Sequence, residues 1–575
     1  MNGQRVTANV WLTALCAVLI PACSTAGREA APAGEAAAAS ELQAEVPAEL
    51  GQALASSQLA KLVAGDGTDF DELGISVAVS GNTALVGALF DDDRGDNAGA
   101  AYIFVRSGTA WVQQAELTAS DGGANDNFGV AVALAGDTAV IGAVFDDDAG
   151  SDAGAAYVFV RSGTSWVQQA KLTASDGAPN DQLGMSVAVA GATIVVGTVN
   201  ENERGDRAGA AYVFTRGGTS WAQQAKLTAA DGAEADQLGI SVAVSGDTVV
   251  VGAYGDDDLG ASSGSAYVFV RSGASWSQQA KLNAADGAAI DEVGISVAVE
   301  GDTALVGAVF HEDRGAAYVF VRSGASWSQQ AELTAADATQ GDNFGNAVAL
   351  SGNIAVIGAP NDSDLGAGSG SAYVFERSGT SWSQQAKLTA TDGASADLFG
   401  ISVALSGTTA VVGAIGDDDR GSSTGAAYVL ATAASNDGGL CTTGAECSSG
   451  FCTDGVCCNT ACGGGDPGDC QACSVAAGAA VDGTCAPRAA TTICRAAAGA
   501  CDVAERCTGS STACPGDSRV PNGAVCRPAA GSCDLVESCG ASSAACPANA
   551  FKPDLSLCRG LFGLPGVCLA RVCVL

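Results

Sequence analysis

Gly239 to Gly287 reads GISVAVSGDTVVVGAYGDDDLGASSGSAYVFVRSGASWSQQAKLNAADG, and its punctuation decides the fold. Four runs rich in β-branched and aromatic residues, Ile240 to Val244, Thr248 to Val251, Ala266 to Val270 and Trp276 to Leu282, are separated by Gly, Asp and Ser turn signals. Each run reads as a strand, and together they predict one four-stranded antiparallel unit. The unit recurs seven times: its opening glycine falls at Gly74, Gly129, Gly184, Gly239, Gly294, Gly345 and Gly400, and its third-strand tyrosine at Tyr102, Tyr157, Tyr212, Tyr267, Tyr318, Tyr373 and Tyr428. The spacing is 55 residues, shortened to 51 between Trp276 and Trp327, where one loop is trimmed to the HEDRG of His311 to Gly315.

A period of this length marks an array of units each too small to bury a core alone, which leaves an open solenoid or a closed propeller. The seventh copy stops after Tyr428 without a fourth strand, yet QLAKLVAGDG at Gln58 to Gly67 matches QQAKLTASDG at Gln168 to Gly177. An N-terminal strand that completes the last unit closes a ring and removes the free edges a solenoid would have to cap. Residues 58–434 therefore predict an all-β, seven-bladed β-propeller. Its first two strands are continuously apolar, as expected between neighbouring blades. The fourth alternates, with Trp276, Gln278, Ala280 and Leu282 on one face and Ser277, Gln279 and Lys281 on the other, so it reads as the half-solvated outer edge. The recurrent tryptophan reads as interblade packing rather than a ligand platform.

Phe128-Gly129 opening a copy, Gly142-Ala143 after its second strand, and FG-x-x-VAL-x-GDTAVIGA followed by GAAYVF carry a family likeness. The pattern resembles the FG-GAP repeats of bacterial surface proteins, related to the propeller of integrin α chains. That resemblance implies a propeller used for extracellular binding. Integrin-type repeats place a D-x-D-x-D-G calcium loop between the first two strands. Here that connection is the tight turn Ser245-Gly246-Asp247-Thr248, and those sites do not carry over.

Residues 1–23 read as a targeting segment: Arg5 at the charged end, an apolar run from Val6 to Ile20, then Ile20-Pro21-Ala22-Cys23, which resembles a bacterial lipobox. Cys23 is the predicted lipidation site, with plain secretory cleavage as the competing reading. Residues 24–57, rich in Ala, Glu, Ser and Pro, predict a flexible tether. The net charge of -37 opposes nucleic-acid and anionic-membrane binding, leaving the lipid anchor as the membrane contact and a monomer as the expected state.

Twenty cysteines crowd the C-terminal region: Cys441, Cys447, Cys452, Cys457, Cys458, Cys462, Cys470, Cys473 and Cys485 in a first module (435–485), then Cys494, Cys501, Cys507, Cys514, Cys526, Cys533, Cys539, Cys546, Cys558, Cys568 and Cys573 in a second (486–575). An even count in an exported chain predicts a disulfide framework of up to ten bridges whose pairing the spacing leaves open. A structural zinc site around Cys470-x-x-Cys473 is the alternative. The spacing C-x6-C-x5-C-x6-C-x11-C from Cys494 repeats after 32 residues. CRPAAGSCDLVESCGASSAACP resembles the C-terminal half of disintegrin domains, whose acidic Cys-Asp is matched by Cys501-Asp502 and Cys533-Asp534. Only half a domain is present, twice, and it holds no RGD.

With His311 as the single histidine, zinc proteases of the H-E-x-x-H type, Ser-His-Asp hydrolases and Cys-His proteases are excluded by inventory. A non-catalytic surface binding or adhesion module for an extracellular protein or glycan is the expected function. The alternatives are a hydrolase or lyase using paired aspartates, and a structural envelope component. His311 marks the one evident departure from the repeat. The aspartate triplets and links are expected on one face and Arg106, Arg161, Arg216, Arg271, Arg322 and Arg377 on the other. Two RGD tripeptides, Arg94-Gly95-Asp96 and Arg204-Gly205-Asp206, read as chance matches within a loop that needs its glycine. Asp91 and Asp93, Asp146 and Asp148, Asp256 and Asp258, and Asp417 and Asp419 alternate as calcium ligands at first and third loop positions would. The fifth position is glycine, so a calcium site there needs a second donor from the link, such as Asp126 or Asp181. Diffuse solvated charge is the competing reading.

Overall fold

The computed structural model describes residues 58–108, 110–432, 452–453, 456–462, 470–474, 483–560 and 564–574. Residues up to 432 and from 433 onward form two compact units.

The first unit holds seven four-stranded antiparallel sheets, one per repeat. In the fourth blade the strands are Val242–Ser245, Thr248–Ala253, Ser265–Ser272 and Ser275–Leu282. Second and third strands are the most deeply buried, because β-branched and aromatic residues there meet a neighbouring blade on both sheet faces. The cores lie between blades rather than within them: Leu85, Ile103 and Leu117 of blade one pack with Phe128, Ile141 and Tyr157 of blade two. This is why one repeat cannot fold alone.

The ring closes as the sequence predicts. Gln58–Leu62 pairs antiparallel with Ala426–Ala431 as the outer strand of blade seven, with Lys61 opposite Tyr428 and Leu62 opposite Ala427. Leu62, Val411 and Val429 share a core with Leu73 and Val86 of blade one, and Ser402 Oγ of blade seven donates to the Gly74 carbonyl of blade one at 2.7 Å.

The paired glycines of the repeat make close blade packing possible. Gly184 of blade three has φ of 99°, and a Cβ there would lie 2.3 Å from the Ala155 carbonyl oxygen of blade two. Gly142 of blade two would in turn drive a Cβ to 2.0 Å from the Gly184 carbonyl oxygen. No side chain fits at either position.

The outer strand departs from the predicted alternation. Lys281 lies opposite Tyr267 and Ala280 opposite Val268, but Gln278 lies opposite Phe269, so Gln279 is an extra residue in a β-bulge. The bulge shifts the count by one and places Lys281 on the face of Trp276 and Gln278, not with Ser277. The two glutamines then face neighbours on either side. Gln278 accepts the Ala230 N–H of the preceding link at 2.9 Å, and Gln279 accepts the Trp327 indole N–H of the next blade at 2.9 Å. Trp166, Trp221, Trp276 and Trp382 make the same bond to Gln114, Gln169, Gln224 and Gln330. At Trp111 the matching partner is Leu59, and its indole N–H finds no acceptor.

In the second unit eight disulfides are described: Cys458–Cys473, Cys462–Cys485, Cys470–Cys507, Cys494–Cys514, Cys501–Cys539, Cys526–Cys546, Cys533–Cys568 and Cys558–Cys573. Cys452 and Cys457 are also disulfide-bonded, while Cys441 and Cys447 lie outside the described residues. Each 32-residue repeat closes one bridge internally and sends another forward, Cys501 to Cys539 and Cys533 to Cys568. Cys470 and Cys473 are both consumed in disulfides, so the zinc alternative does not hold. Cys470–Cys507 also crosses the expected division at 485, and the cysteine-rich residues form one unit.

Candidate functional site

Because the strands run antiparallel, the loop between second and third strands and the link to the next blade emerge at one end of every blade. The turns carrying the arginines emerge at the other: Arg271 donates its backbone N–H to Asp247 in the first-to-second turn, a full strand away from Asp256. The aspartate triplets and the arginines therefore occupy opposite faces, as expected.

The aspartate face is more organised than solvated charge. In blade four the Lys281 ammonium, turned inward by the bulge, lies 3.0 Å from Asp231 of the preceding link, 2.7 Å from Asp256 and 2.5 Å from Asp258. Tyr267 lies beneath it, 5.2 Å from ring centroid to Nζ, and donates its hydroxyl to Asp256 at 2.7 Å. Lys171, Lys226, Lys387 and Lys61 repeat this arrangement in blades two, three, six and seven, with contacts between 2.6 and 3.1 Å. Burial alone would lower the lysine pKa, and the surrounding carboxylates overcome it and raise it above the ordinary value.

Three of the four expected calcium pairs fall on this pattern. Asp146 and Asp148, Asp256 and Asp258, and Asp417 and Asp419 are each bridged by the ammonium of a lysine of the same blade. The third donor is the first link aspartate (Asp121, Asp231, Asp392), not Asp126 or Asp181. Those two are buried and accept the backbone N–H groups of Gly123 and Ala178, holding the link in shape.

Two blades lack the lysine. In blade one Glu116 stands opposite Tyr102, and Asp66, Asp93 and Glu116 converge within 4.8 Å. Asp91 beside them is held by the Tyr102 hydroxyl at 2.6 Å. Burial, then Asp66, Asp91 and Asp93, raises the Glu116 pKa. In blade five Glu332 stands opposite Tyr318, and Asp286, His311 and Glu332 converge within the same distance. His311 is buried, with Nδ1 3.0 Å from Asp291 and Nε2 3.7 Å from Glu332. Asp313, at the sequence position of Asp258, turns away and accepts from Gln340.

The departure marked by His311 is thus one of two. Blades one and five also share an acidic residue at the end of the preceding link, Glu72 and Glu292, and an exposed apolar residue two positions before it, Phe70 and Ile290. Ile290 holds φ of 76°, an outlier for a β-branched residue. Reading the repeats against one another at the lysine position finds both blades, whereas a strict period of two places that position on the solvent face.

Arg94 and Asp96 of the first RGD are exposed, and Gly95 and Gly205 share a φ near 147° with the corresponding Gly366, which is not part of an RGD. In the cysteine-rich unit Asp502 and Asp534 are buried and accept the Ala498 and Ala530 backbone N–H groups at 2.7 Å, so these Cys-Asp acids serve the repeat's own turns. Cys23 lies outside the described residues.

Comparison with known proteins adds two findings. The model of a family described as FG-GAP repeat matches residues 56–104, 111–159, 166–214, 221–269, 276–320, 327–375 and 382–430. The chain is also similar, at 36% identity over 87 residues, to the disintegrin and metalloproteinase domain-containing protein B of Aspergillus fumigatus, a match covering 13% of this chain and 11% of that protein.

Proposed function

Since the chain belongs to the FG-GAP repeat family, we propose that it is an exported, lipid-anchored surface protein whose propeller works as a non-catalytic binding or adhesion module for an extracellular protein or glycan. The observation that carries this reading is the loop face itself: seven loops at equivalent positions, five of them fastened by a buried tyrosine hydroxyl, are displayed side by side on a closed scaffold. Loops held this way by a rigid frame are where recognition surfaces are built. The dense disulfides of the second unit fit an oxidising, extracellular setting. The likeness of that unit to a protein named for its disintegrin and metalloproteinase domains supports a binding role, and Cys23 supplies the anchor.

Glycan and protein arrays probed with the purified full chain test the reading, with mass spectrometry of each captured ligand after incubation. Saturable capture of an unaltered ligand is the expected result; cleavage of the ligand would replace the binding role with a hydrolase or lyase. For the anchor, Cys23→Ser is expected to move the chain from the membrane fraction to the soluble one, and retention in the membrane would contradict lipidation.

A further inference from the structure

Five blades fill the space above the third-strand tyrosine with an ammonium, and blade five does not. What converges there instead is a mixed donor set. The trimmed HEDRG loop makes one short turn and delivers His311 to the position that Asp256 holds in blade four, while Glu332 replaces the lysine and Asp286 comes from the link. Asp286, His311 and Glu332 each offer one atom within 4.8 Å of the others, and Nε2 to Glu332 is 3.7 Å. Donors about 2.0–2.2 Å from a shared cation sit roughly 3–4 Å from each other, which matches this separation.

Two further observations point to a ligand at this place. The Tyr318 hydroxyl is fully buried and lacks the aspartate that receives this proton in blades one, two, four, six and seven, because His311 stands in its place; it is left to Asp286 of the cluster itself. It faces Asp286, Glu332 and Asp291, and its ring meets His311 edge-on at 5.8 Å. Tyr212 of blade three is likewise left to the link aspartate, Asp176, but there Lys226 occupies the cluster. Second, the Asp291 carboxylate lies 3.0 Å from Nδ1 of His311, leaving Nε2 toward Glu332 at 3.7 Å. A carboxylate on the far ring nitrogen is the arrangement that orients metal-ligating histidines.

We propose that Asp286, His311 and Glu332, with the Tyr318 hydroxyl behind them, form a binding site for a divalent transition-metal cation of the Zn2+ type. The imidazole nitrogen sets this site apart from calcium chemistry, which takes oxygen ligands. Asp286 and Glu332 are solvent-exposed at the loop face, so an ion reaches the site directly, while His311 is buried beneath them. The site lies on the same face as the proposed recognition surface but rests on its own donors, and holds whether or not that surface binds a protein or glycan.

His311 is the single histidine of the chain, so its imidazole gives one unambiguous signal. The test is a Zn2+ titration of the oxidised full chain, with the imidazole nitrogens followed by NMR and stoichiometry by equilibrium dialysis. One ion is expected to bind and displace the Nε2 resonance, with the same concentration of Ca2+ leaving it in place. His311→Gln and Glu332→Lys are each expected to weaken binding at least about tenfold. The second of these restores the ammonium of the other blades, so it tests the site with the fold supported. An Nε2 resonance unmoved by Zn2+, or stoichiometric binding that survives both substitutions, would overturn the proposal; the first result would leave the imidazole as a simple replacement for lysine.

Discussion

At the scale of single residues, the clusters on the loop face are a set of natural substitutions in one frame. Lysine balances three carboxylates in five blades, whereas Glu116 in blade one adds a fourth. Glu116→Lys should therefore place an ammonium among Asp66, Asp91 and Asp93 and stabilise the fold by about 1 kcal/mol, between the values for exposed and buried pairs. A denaturant midpoint that falls or stays fixed at neutral pH would contradict this. Glu292 gives a pH signature. Burial pushes its carboxyl up from 4.5 to about 7, so the folded chain keeps a proton that the unfolded chain has lost. Its contribution is full below pH 4.5 and is lost as pH rises through about 7. Glu292→Gln should raise the melting temperature at about pH 8 and leave it unchanged at about pH 4; equal melting at both would remove the assignment. None of this was legible by counting residues along the outer strand. The bulge is written as two adjacent glutamines, and a period of two assumes that no residue is extra. Lys281 reads as solvent-facing for that reason, and its partner Asp231 lies 50 residues away in the preceding link.

At the scale of elements, the strands were legible almost to the residue, because Gly, Asp and Ser turn signals bound each apolar run and the runs repeat. Thr248–Ala253 and Ser275–Leu282 extend the predicted Thr248 to Val251 and Trp276 to Leu282 only at their ends. The first strand of blade four begins later than predicted, at Val242, and Ser241 Oγ just before it donates to the Gly294 carbonyl of the next blade. What the repeat glycines do was legible only as punctuation. Their role in the structure is contact, since blade three touches blade two backbone to backbone at Gly184. Gly184→Ala combines a positive φ with a Cβ driven into a carbonyl oxygen, and should cost about 3 kcal/mol or more. Gly191→Ala, also at positive φ but with open space around it, should cost about 1 kcal/mol. Equal losses in the two variants, measured by chemical unfolding, would show that backbone conformation rather than blade contact sets the requirement. Disulfide pairing was not legible at all, because the spacing that repeats every 32 residues is shared by bridges within a repeat and bridges between repeats.

At the scale of the whole molecule, the ring is the condition for everything the loop face does. Each core is shared by two blades, so an open ring would leave blade one and blade seven each with an uncovered apolar face. The closing piece is five residues long, Gln58–Leu62, and it carries three devices of the outer strand at once. Gln58 accepts the Thr391 N–H, Lys61 neutralises Asp392, Asp417 and Asp419, and Leu62 enters the shared core. Its place at the front of the chain was legible from the match between QLAKL and QQAKL, which is the strongest single inference the sequence carried. The most direct measurement compares thermal unfolding of a chain that begins just before Gln58 with one that begins after Leu62. The account predicts that losing these five residues lowers the melting temperature of the propeller and broadens its transition, with recovery when the QLAKL peptide is supplied in trans. An unchanged, sharp transition in the shorter chain would contradict closure of the ring by its N-terminal strand.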